Sequence, residues 1–425
     1  MISPEPLASF FARGPDKRSL RLLLAAPHRL FFCFGMIGLT CSSLWWLAHL
    51  LGRHFGVVLP MALPPSWMHA WMMSNGFLPF FMFGFLFTAG PKWLHVDPPP
   101  APALLVPGLL ALAGFLLALT GAQLHAAAVA AGALLMAAGW LPLLVRFGGL
   151  IRASRFPDRL HARLALIFFA LGLLAQPVFA MSVFGLSANG VHSAAMLSIW
   201  CFLVPMYVTV AHRLFPFFIG NALPGLRVWN PPWLLAALLG IVLAHGLLPL
   251  GSVLISGPIF DTLRLAVDAG GAALLFLLVW RWGIVPAFSN RLLAMIHIGM
   301  LWLGIALALY AWNLAAQMLG IGRSVLGLAP LHALTMGFFG TLVFGMVTRV
   351  TAGHGGRPLA VDDRDWLLFG VLQASVVVRL LAELWTAQTL GLTALSVALW
   401  CAAFLPWALR KTLIYLAPRP DGLDG

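Results

Sequence analysis

The chain has 425 residues, of which 61% are hydrophobic and only 9% charged, and its formal net charge is +13. A water-soluble fold cannot hide that much apolar side chain, because its surface must be largely polar; a chain dissolved in lipid meets no such limit. The basic residues fall in short clusters between apolar runs, a distribution that excludes a nucleic-acid partner and follows the positive-inside rule.

Crossing a hydrocarbon core takes roughly 20 apolar residues as a helix. Twelve runs meet that length: 29–52, 66–90, 103–121, 126–150, 162–185, 190–213, 231–250, 262–282, 291–318, 327–350, 365–388 and 390–415. The first thirty residues are basic and lack a small-residue cleavage site, so the first run reads as an anchor and not as a cleaved leader. No connection is long enough for a separate soluble domain. The chain therefore reads as one all-α transmembrane domain, 1–425.

Lys and Arg in the connections set the orientation. Five stand before the first span or at its start (Arg13, Lys17, Arg18, Arg21, Arg29) and five more at 146–163. With Lys92, Arg213, Arg227, Arg281, Arg291, Arg349, Arg357, Arg364, Arg410, Lys411 and Arg419, one side collects 21, against Arg53, Arg264 and Arg323 on the other. That asymmetry predicts that both termini are cytoplasmic.

The second, sixth and tenth spans open with His69-Ala-Trp-Met-Met73, His192-Ser-Ala-Ala-Met196 and His332-Ala-Leu-Thr-Met336. Each reads His, small residue, two variable residues, Met. Each recurrence is separated by four spans, which predicts three pseudo-repeats of four helices, near 29–150, 162–282 and 291–415. Residues i and i+4 share a helix face, so each His projects beside its Met. Imidazole suits iron, copper and zinc, and a thioether favours Cu(I) or a haem axial position. A single His at a helix end reads equally as an interfacial side chain, and Met as core filler. Recurrence in three equivalent spans favours a cofactor or metal role for the set.

A second histidine group, His28, His212, His297 and His354, falls toward the predicted cytoplasmic face. His297 lies two turns into the ninth span, where it can face the bundle interior. His49 and His245 stand near outer helix ends, and His54, His95, His125 and His161 read as ordinary connection residues. Arg379 and Glu383 at i, i+4 read as a self-neutralising structural pair, and Asp268 is expected to pair with Arg264 in the same way. The four cysteines, Cys33, Cys41, Cys201 and Cys401, form no CxxC and read as packing residues.

Specific resemblance begins in the tenth span. His332-Ala-Leu-Thr-Met-Gly337 followed by Met346-Val-Thr-Arg-Val-Thr-Ala-Gly-His-Gly-Gly-Arg-Pro-Leu359 resembles the signature of the NnrS family, haem- and copper-containing membrane proteins associated with the bacterial response to nitric oxide. Thr88-Ala-Gly-Pro-Lys-Trp93, Arg213-Leu-Phe-Pro-Phe-Phe218 with Asn221-Ala-Leu-Pro224, Arg29-Leu-Phe-Phe32 and His297 are similar to further family segments in the same order. The family usually carries a His-Glu dipeptide two residues after the second-span histidine; here Trp71 and Met72 stand there, which implies the loss of a metal ligand if that His is one in relatives.

The resemblance implies a protein of the bacterial inner membrane, with haem b and copper as cofactors and nitric oxide as its small gas ligand, acting in nitrosative stress or denitrification. Under it, His69, His192, His332 and His297 are cofactor candidates, with Met73, Met196 and Met336 beside the first three as metal ligands. Arg349, His354 and Arg357 would hold haem propionates or a substrate anion, or would simply satisfy the positive-inside bias; both readings stay open. The plan of three four-helix sets is also similar to that of haem–copper oxidases, without their paired His-His copper motif or proton path. A haem-dependent oxidoreductase acting on nitric oxide, a transporter of haem-related or metal cargo, and a non-catalytic sensor or assembly factor are the competing expectations. No motif designates an electron donor.

Overall fold

Helices that are apolar on every side are stable only where lipid or other helices surround them. In the computed structural model, which describes residues 19–254, 258–322 and 325–422 (and only the backbone of 250–254 and 258), such helices make up a polytopic all-α bundle with no strand among the described residues. Eleven are long and apolar enough to cross a membrane: Pro27–His54, Pro65–Leu94, Pro102–Leu124, Ala126–Ala153, Leu160–Phe184, Ala188–Ala222, Ile259–Arg281, Arg291–Met318, Ala329–His354, Asp363–Leu384 and Thr386–Tyr415. The expected seventh span coincides with a further apolar helix, Leu234–Leu254. Ordinal numbers below count all twelve. Arg13, Lys17, Arg18 and Arg323 lie outside the described residues.

Local signals start these helices where they start. Pro27, Pro65 and Pro102 occupy first-turn positions, where a missing N–H loses nothing. Ser187 Oγ accepts from Gly190 N (3.2 Å), Asn290 Oδ1 from Leu293 N (3.2 Å) and Asp362 Oδ1 from Asp365 N (2.8 Å), each satisfying an orphan donor of the first turn.

The spans are not equally enclosed. In the second, sixth and tenth, 83%, 78% and 72% of the most apolar eighteen residues are buried, against 33–67% in the others. These three inner helices are the ones that open with His-x-x-x-Met. Each is also irregular within or just after that motif. The second breaks at Gly76–Phe77, between helices Pro65–Asn75 and Leu78–Leu94. The sixth passes through a π-helical segment, Leu197–Leu203, and the tenth through another, Ala333–Gly340. Pro79 and Pro205 follow the first two irregularities, and a proline cannot supply the N–H a regular helix needs there. Wide turns of this kind concentrate at functional positions.

Small residues set the outer contacts. The third and fourth spans touch backbone to backbone at Gly114 and Gly132, where a Cβ on either glycine would collide with main-chain atoms of the other helix. The first span closes the ring against the last: Trp400 Nε1 donates to Ser43 Oγ (2.9 Å), and Arg29 Nη1 donates to the carbonyls of Tyr415 (3.3 Å) and Ala417 (3.1 Å). These acceptors are end-of-helix carbonyls that otherwise lack a donor.

Candidate functional site

At the end of the bundle where the inner helices begin, two cavities adjoin. The larger, about 360 Å³, lies between the second, sixth and tenth spans and is bordered by His69, Met73, His192, Met196 and His332, with Leu78, Leu203 and Phe339 at its deeper side. The smaller, about 60 Å³, reaches toward the first, eleventh and twelfth spans and is bordered by Trp46, His69, Met73, Phe77, His332, Thr335, Met336, Arg379, Val397 and Trp400. His69, Met73, His332 and Thr335 border both. The three histidines thus meet one chamber, but their methionines divide: Met196 faces the larger cavity, Met336 the smaller, Met73 both.

The histidines differ in what holds them. The His69 ring stacks on Trp46 (centroids 4.0 Å apart), and its Nδ1 is buried without a hydrogen-bond partner. Trp46 in turn stacks on His49 (5.5 Å), which keeps His49 one ring behind the cavity. His332 Nδ1 lies 2.9 Å from the Leu328 carbonyl, which can only accept, so Nδ1 carries the proton and Nε2 keeps its lone pair. His192 is exposed at the chamber mouth. No group of three or more His, Cys, Asp or Glu able to hold a metal occurs among the described residues. A metal here would therefore draw on imidazole together with thioether donors. The free Nε2 of His332, the His69 imidazole, thioethers and apolar walls are a donor set that suits haem iron or Cu(I).

Trp71 and Met72 do not border these cavities. Along a helix each residue turns by about 100°, so position 71 lies nearly opposite His69 while Met73 returns beside it. Trp71 is buried against Phe179 (5.2 Å), and its Nε1 donates to Gln176 Oε1 (3.0 Å). Gln176 Nε2 donates to Asn75 Oδ1 (2.9 Å), and Asn75 Nδ2 to Ser198 Oγ (3.2 Å), a polar chain joining the second, fifth and sixth spans. The dipeptide change therefore alters this interface and takes no side chain away from the His69–His332 cavity.

The remaining expected residues lie elsewhere. Arg349, His354 and Arg357 sit at the opposite end of the tenth span, with Arg349 about 25 Å and His354 about 33 Å of helix from His332 and Arg357 just past the helix end. Arg349 packs over the Phe218 ring (3.8 Å), the His354 ring faces that of His28 (5.0 Å), and Arg357 is exposed. They cannot serve one haem together with His332. His297 is buried with its two ring nitrogens facing the carbonyls of Leu293 (2.8 Å) and Trp282 (3.1 Å), and it borders neither cavity. The expected Asp268–Arg264 pair is replaced: Asp268 turns inward to His245 Nδ1 (2.6 Å), while Arg264 pairs with Asp261 (3.6 Å) one turn earlier on the more exposed side. Nor is His161 an isolated connection residue, because its Nε2 lies 3.1 Å from His212 Nδ1.

Ion pairs gather at the arginine-rich end. Arg410 meets Asp365 (2.6 Å) and Asp362 (2.5 Å), Lys411 meets Asp365 (2.6 Å), and Arg291 meets Asp363 (2.7 Å). Arg410 donating to Asp362 holds that carboxyl down to about 2, and Arg213 donating to Asp158 likewise lowers the Asp158 carboxyl. A third cavity deeper between the inner helices, about 40 Å³, is apolar but for Tyr207, with Phe32, Phe81, Leu342 and Met346 among its walls.

Arg379 joins the site although its pairing along the helix marks it as structural. Its guanidinium, taken as spent on Glu383, borders the small cavity. The available signal was that it is the sole basic residue deep within a span.

Compared with known proteins, the chain matches the NnrS protein family over residues 22–419, nearly its whole length. No curated protein matches it.

Proposed function

We propose, from the premise that this chain belongs to the NnrS family, that it is a haem-binding protein of the bacterial inner membrane, with copper as a second metal, that handles nitric oxide or relieves nitrosative stress. The observation that carries the reading is the double cavity bordered by His69 and His332 in the most enclosed part of an apolar bundle. Intramembrane histidines are expensive to bury and are retained where they do chemistry.

In this reading His332, through its free Nε2, or His69 holds the haem iron, and Met73, Met196 and Met336 offer thioethers to a Cu(I) ion. When bound, the haem supplies an iron centre able to take up a small gas. The residues of the chain do the rest. Trp46 fixes the plane of the His69 ring. The Leu328 carbonyl fixes the His332 tautomer, as second-shell acceptors do for ligating histidines. The apolar walls admit an uncharged diatomic and keep water out.

The test is haem and metal analysis of the purified protein with its optical spectrum. A Soret band that moves on reduction and again on adding nitric oxide is the expected result. Protein that stays colourless, and takes up no haem when offered it, would sink the reading.

A further inference from the structure

Arg379 stands in the eleventh span with its side chain only 8% exposed. Its Nη2 is paired to Glu383 Oε1 at 2.6 Å, but its Nη1 is buried with no hydrogen-bond partner. The Nδ1 of His69, on the second span, is buried and unpartnered too. Both side chains border the same 60 Å³ cavity. Leaving a buried N–H unmet costs about 1–3 kcal/mol, more when the group is charged. Two residues that border one void within an apolar bundle thus each keep an unmet buried nitrogen, and the void is where an acceptor for them can be placed.

We infer that the small cavity is a binding site for an oxyanion or carboxylate head group, held by Arg379 Nη1 and the Nδ1–H of His69. The void is several times the roughly 10–15 Å³ that a single water needs, and it suits a group of three or four heavy atoms. Trp46, Phe77 and Trp400 give it apolar walls, beside which a charge-assisted hydrogen bond is stronger than in water. Glu383 already neutralises the guanidinium from its other side. The anion is therefore held against a nearby carboxylate, so its affinity is modest and set by that carboxylate. The inference shares with the proposed function only the premise that this cavity is the working part of the molecule.

The probes are nitrite and formate, titrated calorimetrically into the full-length protein in detergent, both as purified and after acid–solvent extraction of any bound organic group. The wild type is expected to bind one equivalent of either. Arg379→Gln should weaken binding at least about tenfold, the change that accompanies losing about 1.4 kcal/mol. Glu383→Gln, which removes the competing carboxylate, should tighten it. A purely structural ion pair would lose stability in both variants and gain anion affinity in neither.

Binding to the protein as purified identifies a free oxyanion as the occupant. Binding that appears only after extraction identifies the carboxylate of a resident organic group. No binding in either form, or binding indifferent to both substitutions, overturns the inference. Should Arg379→Gln fail to fold, Glu383→Gln and Arg379→Lys still decide it, because the expected effect of the first is a gain. Colourless protein that binds nitrite would sink the haem reading and leave this one standing; haem-loaded protein that binds no anion in either form would do the reverse.

Discussion

The two ends of the bundle differ in what surrounds the polar atoms they leave unmet. At the arginine-rich end, cations meet carboxylates at short range: Arg410 and Lys411 share Asp365, Arg291 takes Asp363 and Arg213 takes Asp158. At the histidine-bearing end, His69 and Arg379 border a cavity, and each keeps a buried nitrogen, Nδ1 and Nη1, without a hydrogen-bond partner. Orphaned nitrogens do occur at the first end, on His28, Arg159 and His212, but none of these residues borders a cavity described above. The difference separates architecture from function: polar groups that close on one another hold helices together, whereas those left open around space await a ligand.

The largest expected effect tests that separation directly. His332→Ala and His69→Ala should each reduce the haem retained on purification by at least about tenfold, read as pyridine haemochrome per protein, whereas His192→Ala at the exposed mouth keeps most of it. Three variants with unaltered spectra would erase the contrast. Asp365→Asn strikes the other end. It leaves buried Lys411 without its carboxylate and should lower stability by about 3 kcal/mol in a thermal melt, with haem content unchanged; a parallel loss of haem would mean the two ends are not independent.

Trp71→His marks the edge of the site. Because position 71 faces Phe179 and Gln176, the substitution should add no metal to the cavity and should cost about 2 kcal/mol through the broken amide contact. Extra copper bound stoichiometrically would move position 71 into the site. The smallest effect is a pH dependence. The Asp362 carboxyl titrates lower in the folded protein, near 2, than in the unfolded chain. The stability it contributes is therefore complete above the ordinary carboxylate value of about 4 and is lost as pH falls from there toward 2. Asp362 is half exposed, so the contribution is about 0.5 kcal/mol. Melting temperatures of wild type and Asp362→Asn should stay separated above pH 5 and converge as pH falls to about 2.

The helical bundle was legible because lipid makes a simple demand: runs of about twenty apolar residues become helices, and each expected span has a helix in the structure. The grouping of His69, His192 and His332 was legible from their recurrence with Met at i+4, a spacing that acts within one helix. What spacing within a helix cannot express is which helices lie side by side. Asp268 meets His245 from the neighbouring span although Arg264 shares its own helix. Trp71 looks like a lost ligand in the linear motif, yet it packs on the far face. Arg379 seemed spent on Glu383 because a one-dimensional pairing counts charges; a guanidinium carries five N–H donors, and a single carboxylate leaves some of them over.

The closure of the ring between its first and last helices bears on how the protein is made. Arg29 and Ser43 belong to the opening span, but the carbonyls and the indole that satisfy them come 386, 388 and 357 residues later. Throughout synthesis the first helix lacks these partners, and no partial chain can close the ring on that side. Contacts this distant in sequence form last and slowly. Proteins truncated before Tyr415 are thus expected as substrates for membrane quality control, even when every earlier helix has been inserted.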